Sequence, residues 1–161
     1  SSINICRNGQ SLFTGDILVG GNQITEALGN ELGIPAEEAE MLKVNPGARG
    51  PRAEEIEEII DRRIESAASD FNRQLSFFWS PSGADDGIDM ILLSGGGAKI
   101  GGLAAELSEK TGLTCEIIDP FRALELGSSF ERDYLRELAP TMAIALGLAL
   151  RQPGDKIFPD A

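Results

Sequence analysis

Apolar residues alternate twice near the start of the chain, at Ile3 and Ile5 and again through Leu12, Phe13, Ile17 and Val19, with Arg7-Asn8-Gly9-Gln10 between the runs. Alternation on either side of an Asn-Gly pair predicts a β-hairpin, because both turn residues accept positive φ. Gly20-Gly21-Asn22 breaks the second strand, after which Ile24, Ala27, Leu28, Glu31 and Leu32 take helical spacing that stops at Gly33. Pro35 opens a second short helix, residues 36 to about 43, with glutamates in the first turn where the helix dipole favours them. Residues 44–51 are dense in breakers and predict a loop.

From residue 53 to about 78 one stripe collects Ile56, Ile59, Ile60, Ile64, Ala67, Ala68, Phe71, Leu75 and Phe78, while Glu54, Glu55, Glu58, Asp61 and Glu65 fall largely off it. A helix of that length spans about 39 Å. The stripe drifts with the 3.6 period, which favours core packing over a coiled coil. Residues 79–83 end it and 84–87 predict an acidic turn. A strand at 90–93, a helix at about 103–111 and a strand at 114–118 then form a β-α-β unit, for which parallel pairing and a right-handed crossover are expected. Residues 121–132 read as mostly irregular, and 134–138 and 140–151 as two helical stretches. Ala143, Ala145, Gly147 and Ala149 in the latter suit close packing rather than an interface. The tail from 152 on is expected to be loose.

Ser94-Gly95-Gly96-Gly97-Ala98-Lys99 joins the apolar strand at 90–93 to the helix. Without Cβ atoms such a turn takes positive φ and lets a flat ligand lie on the backbone. A helix directly after it would point free N–H groups at an anion. The spacing is neither the dinucleotide fingerprint nor a phosphate-binding Gly-Lys-Ser/Thr loop. On these residues alone a ligand floor and a plain tight turn both stand.

Twenty-six acidic against fourteen basic residues give a net charge of −12, which argues against a nucleic-acid partner. With no histidine, and with Cys6 and Cys115 far apart in strand-like runs, a zinc site and a Ser/His/Asp triad are excluded for this chain by itself, and no metal site is expected in it. The longest apolar run, residues 142–150, is far short of the roughly 20 residues a membrane helix needs. The chain begins already in a strand and without Met, which reads as a piece of something longer.

Ser94-Gly95-Gly96-Gly97-Ala98 followed by Gly102-Leu103 resembles the adenosine motif of the actin, sugar-kinase and heat-shock-chaperone ATPase superfamily. Within it, Asp119-Pro120-Phe121-Arg122, Leu138-Ala139-Pro140 and Gly147-Leu148-Ala149-Leu150-Arg151 resemble the PilM family of type IV pilus assembly, as do Ser11-Leu12-Phe13-Thr14, Ile17 and Gly20-Gly21-Asn22-Gln23-Ile24-Thr25. The likeness covers nearly the whole chain. An FtsA-like cell-division scaffold is the rival, and half of a sugar- or acetate-kinase-type phosphotransferase the alternative.

The resemblance implies an α/β fold, the actin-like (ribonuclease H-like) subdomain 2A, formed by residues 1–19 and 53–161, with a small helical 2B insertion at 20–52. It also implies a C-terminal half, truncated at its N-terminus, whose first phosphate loop, first domain and magnesium-holding carboxylates lie upstream of Ser1. The cofactor is then ATP or ADP with Mg in the full-length parent. Gly95, Gly96 and Gly97 would floor the nucleotide, Ala98 would belong to the same cofactor-binding turn, and Lys99 and Ile100 would wall the base. Glu40 and Lys43 match the family's Glu-x-x-Lys for ribose and adenine, although as residues they also read as an exposed helical ion pair. Gly20 and Gly21 would lie near the phosphates, and Ser1 would be the Thr/Ser position of the second phosphate loop. Asp119 before proline reads as a turn former rather than a site residue.

Weak ATP hydrolysis would belong to the parent, with the piece alone inactive. The implied partner is a PilN-like inner-membrane pilus protein, docked mainly on the missing lobe, with a homo-oligomer left open. The implied location is the cytoplasm, peripheral to the inner membrane through that partner. With the central strand lost, the hairpin and the β-α-β pair are expected to join directly or to admit a strand from another molecule.

Overall fold

The computed structural model describes residues 1–82, 87–127 and 130–152, without the side chains of 77–82. Residues 84–86 of the predicted acidic turn, the side chain of Phe78 in the helical stripe and all of the tail beyond 152 lie outside what is described.

The expected hairpin forms from β1 (Ser2–Arg7) and β2 (Gln10–Asp16), antiparallel from Ser2 opposite Asp16 to Arg7 opposite Gln10. Asn8 and Gly9 carry φ of 50° and 78°, the left-handed pair that matches strand twist. The register slips between Ile5 and Cys6, which face Phe13 and Ser11 and leave Leu12 as the extra residue of a bulge. A Cβ on Gly15 would lie 2.9 Å from the Phe13 ring, so that ring packs directly on the glycine backbone.

Helix α1 (Gly21–Leu32) ends at Gly33, whose φ of 67° returns the chain through a bond from its N–H to the Gly29 carbonyl. Helix α2 (Ala36–Val44) starts at Pro35 with Glu37 and Glu38 in its first turn. The predicted loop after it contains two 3-10 turns, Pro46–Ala48 and Gly50–Arg52, because proline at an early position presets helical φ in each.

Helix α3 (Ala53–Ser82) runs past the predicted end near Phe78 and keeps helical backbone to Ser82. Ile56, Ile59, Ile60 and Ile64 of α3 form one core with Ile24, Ala27 and Leu28 of α1 and Ala39 and Leu42 of α2. Leu28 and Ile56 are fully buried, each worth about 1.5–3 kcal/mol of transfer free energy.

Strand β3 (Met90–Leu93) and β4 (Thr114–Ile117) pair across helix α4 (Leu103–Thr111), as the β-α-β pattern predicts. Helix α4 packs on α3, with Leu107 buried and Lys110 bridging to Glu65 at 3.2 Å. The hairpin and the β3–β4 pair remain separate two-stranded sheets. Direct joining is therefore not what a single chain does. Each pair satisfies its own ladder, and the outer edges keep donors and acceptors that no strand among the described residues covers.

The last helix corrects a second expectation. Residues 134–138 and 140–151 are not two segments but one helix, α5 (Arg132–Ala149), with Pro140 inside it. Proline has no N–H to donate, and its carbonyl instead accepts two bonds from outside the helix, described below.

The chain divides into two compact units, Ser1–Ile91 with Ile100–Cys115, and Leu92–Lys99 with the chain from Glu116 on. All residues of the isoleucine-rich core belong to the first. No helix among the described residues is long and apolar enough to cross a membrane.

Candidate functional site

In the first unit four sequence-predicted positions meet at the start of α1. Gly20 is the N-cap of α1, no side chain caps its free amides and no acidic residue lies in its first turn. Lys43 reaches in from α2 and donates to Glu40 Oε2 at 2.6 Å, Thr25 Oγ1 at 2.9 Å and the Gly21 carbonyl at 3.2 Å. Its three donors are used, and its side chain is only 8% exposed. Lys43 is therefore the buried member of this helical ion pair, while Glu40 stays about half exposed.

Gly21 brings the α1 backbone close to this lysine, since a Cβ there would lie 3.3 Å from the Lys43 ammonium, a tight contact. Thr25 closes the network by donating to Glu40. The Lys43 bond holds the Glu40 carboxyl below its ordinary value, the Thr25 hydroxyl adds to this, and burial opposes it. Ser1 is bonded to the residue that precedes this cluster, its hydroxyl donating to the Val19 carbonyl at 2.7 Å, and its carbonyl accepts from Ile17 N–H at 2.8 Å.

Arg49, which sequence reasoning left in a loop, supports α2. Its Nε donates to the Leu42 carbonyl at 3.0 Å, one Nη to the Lys43 carbonyl at 3.3 Å and the other to Glu57 at 3.2 Å. A basic residue shortly after a helix end was the available signal, since the last carbonyls and the dipole both attract a cation.

The glycine turn belongs to the second unit. Gly95 has φ of 87°, a conformation that favours glycine. Its N–H donates to the Pro140 carbonyl at 2.6 Å, and Ser94 Oγ donates to the same oxygen at 3.0 Å. Pro140, expected to start a helix, is thus the peg that holds the turn. A single 3-10 turn, Gly96–Lys99, follows, and α4 begins at Leu103, where the sequence predicts it, so its first-turn amides do not stand directly behind the glycines. Gly101 and Gly102 intervene, Gly102 at φ 85°, and break the continuity.

Around Gly96 and Gly97 no described atom lies within 4 Å of where a Cβ would be, and neither has positive φ. Neither fold nor strain demands glycine at these two positions. Ala98 is buried, offering a ligand only its backbone, and Ile100 packs against the core of the first unit. Lys99 is exposed and has no partner among the described residues.

Comparison with solved structures defines the class first. The fold is that of actin-like ATPases, an α/β arrangement shared with the ethanolamine utilization protein EutJ from Carboxydothermus hydrogenoformans at a TM-score of 0.64 and 22% identity, over 92% of this chain and 44% of that one. A chain of the PilM-PilN type IV pilus biogenesis complex matches at a TM-score of 0.81 and 28% identity, over 94% of this chain and 43% of that one. Residues 1–153 match the family described as type IV pilus assembly protein PilM, and the chain belongs to that family. The family is thus PilM rather than FtsA or a sugar kinase. The chain spans less than half the length of both matched structures.

Proposed function

We propose that the chain is the nucleotide-binding C-terminal part of a PilM-like ATP-binding protein that works at the inner-membrane platform of the type IV pilus. Residues 1–19 and 53–161 act as its subdomain 2A and 20–52 as its 2B insertion. The observation that carries this is the open backbone at Gly96 and Gly97, where the chain gains nothing for itself by lacking a side chain. A flat adenosine group does gain, because a Cβ would lift it off the backbone.

The cluster at the start of α1 supports the same reading by itself. Uncapped first-turn amides beside a buried ammonium favour an anionic or hydroxyl-rich group, and Glu40 is the acceptor for ribose hydroxyls. Gly20 and Gly21 then approach the phosphates, Ser1 serves as a phosphate-loop hydroxyl, and Lys99 flanks the base. The ligand is ATP or ADP, and magnesium enters with it on carboxylates of the parent rather than of this chain. Bound nucleotide would supply phosphoanhydride chemistry, while these residues bind and orient it and carry no catalytic group. A PilN-like membrane protein is the proposed partner, as in the matched PilM-PilN complex.

Calorimetry of ATP and ADP on the full-length parent, with and without Gly96→Glu, tests the reading. The free space at Gly96 lets the fold tolerate the substitution, so thermal unfolding stays unchanged. Binding is expected to weaken at least about tenfold, the consequence of losing about 1.4 kcal/mol. Unaltered affinity in the variant would return the turn to a purely structural role.

A further inference from the structure

Asp119-Pro120-Phe121-Arg122 has no part in the nucleotide site, yet the second unit builds a cleft of about 250 Å³ on it. Asp119 Oδ1 accepts the Phe121 N–H at 3.0 Å and fixes the turn that carries Arg122. Helix α5 adds Arg132, Leu135 and Arg136, which share one helical face at spacings of three and four. Leu124 and Leu126 complete an apolar wall with Phe121 and Leu135.

The charge here runs against the rest of the molecule. Three guanidiniums face one carboxylate, in a chain whose net charge is −12. Arg122 and Arg132 make no ion pair or side-chain hydrogen bond among the described residues, and Arg136 is held only by Asp133, at 3.1 Å and in full contact with water. Arginine left uncommitted beside apolar walls matches a planar anion bidentately and stacks on flat surfaces.

We propose that this cleft docks a short acidic segment of a partner protein, a carboxylate seated on Arg122 and Arg132 and the neighbouring aliphatic or aromatic side chain against Phe121 and Leu135. The apolar half of the lining distinguishes this ligand from free phosphate, which would leave the leucines wet. The net charge distinguishes it from an anionic bilayer, which repels the chain as a whole. At about 250 Å³ the cleft lies below the usual range for cofactors and drug-sized ligands, and suits an anchor of one or two side chains.

Selection of random heptapeptides displayed on phage against the intact chain, followed by fluorescence polarisation of the enriched peptides, tests this. Enriched sequences are expected to carry Asp or Glu next to Leu, Ile or Phe. Their affinity should fall at least about tenfold in the Arg122→Glu/Arg132→Glu double variant, the scale of a lost charge-assisted pair. Affinity should hold in Arg73→Glu, a reversal at an exposed arginine of α3. An Arg122→Gln/Arg132→Gln variant gives the same reading without charge reversal, and unchanged melting confirms that each variant is folded. Peptides without acidic residues, or peptides that bind the double variants equally, overturn the proposal. Full displacement by equimolar inorganic phosphate, or arginine-dependent binding to phosphatidylglycerol vesicles without peptide binding, also overturns it and assigns the cleft to a phosphate or lipid headgroup.

Discussion

Leu28, Ile56 and Leu107 are sealed from water in the first unit, whereas the described buried residues of the second are Ala98, Leu135, Ala139 and Pro140, and its Ile144 stands 78% exposed. One unit is held by large side chains packed between helices. The other has a backbone N–H and a serine hydroxyl converging on one proline carbonyl, and it leaves much of its apolar surface uncovered. Stability concentrates where periodic side chains can interlock, while the glycine turn and the arginine cleft are set in the less densely packed part. The candidate site positions of the first unit occur at the start of α1, where Lys43 brings a charge into contact with the helix end.

The largest expected effect tests the contrast directly. Leu28→Ala removes a fully buried side chain and should cost about 2–5 kcal/mol in urea unfolding. Leu148→Ala, at a position 62% exposed, should stay within about 0.5 kcal/mol. Equal costs would show that the second unit is packed as tightly as the first.

Next in size, Lys43→Met leaves Glu40 with the Thr25 hydroxyl alone and should destabilise by about 1–2 kcal/mol in the same assay. A cost below about 0.3 kcal/mol would make Lys43 an ordinary surface lysine.

The glycine turn separates its own members. Gly95→Ala forces a φ of 87° on a residue with a Cβ, although the space is free, and should cost about 1–2 kcal/mol. Gly96→Ala should cost less than about 0.5 kcal/mol. Hydrogen exchange at the Gly95 amide should accelerate in the first variant only, since that amide is bonded to Pro140. Similar costs at both glycines would indicate a packing demand that the structure does not contain.

Much of the first unit was legible because its signals are local and repeated. Asn8-Gly9, Gly33, Pro35 and the isoleucine stripe of α3 each state a geometry within a few residues, and the structure follows them. Lys43 was legible as a partner of Glu40 but not as buried, because its cover comes from Gly21 and Thr25 on another helix. Pro140 was misread for a related reason. Proline signals a helix start or break locally, and only the distant Ser94 and Gly95 give its carbonyl a use inside α5. Arg122 and Arg132 lie ten positions apart, and no periodicity joins a turn residue to the first turn of a helix.

The smallest effect concerns pH and the same Lys43 network. Glu40 carries a carboxyl held below its ordinary value of 4.5, chiefly by the Lys43 bond and then by the Thr25 hydroxyl. The folded chain therefore takes up this proton less readily than the unfolded chain. The stabilisation is fully present above the unfolded value and is lost as pH falls through the lower folded value. Glu40 is about half exposed, so solvent screening keeps the contribution below about 1 kcal/mol. Urea midpoints measured from neutral pH down through the carboxylate range should fall slightly less steeply in Glu40→Gln than in the parent sequence. The two curves should converge at the acid end, where Glu40 is protonated. Parallel curves over the whole range would mean that Lys43 is held by Thr25 and the Gly21 carbonyl, with Glu40 contributing no net stability.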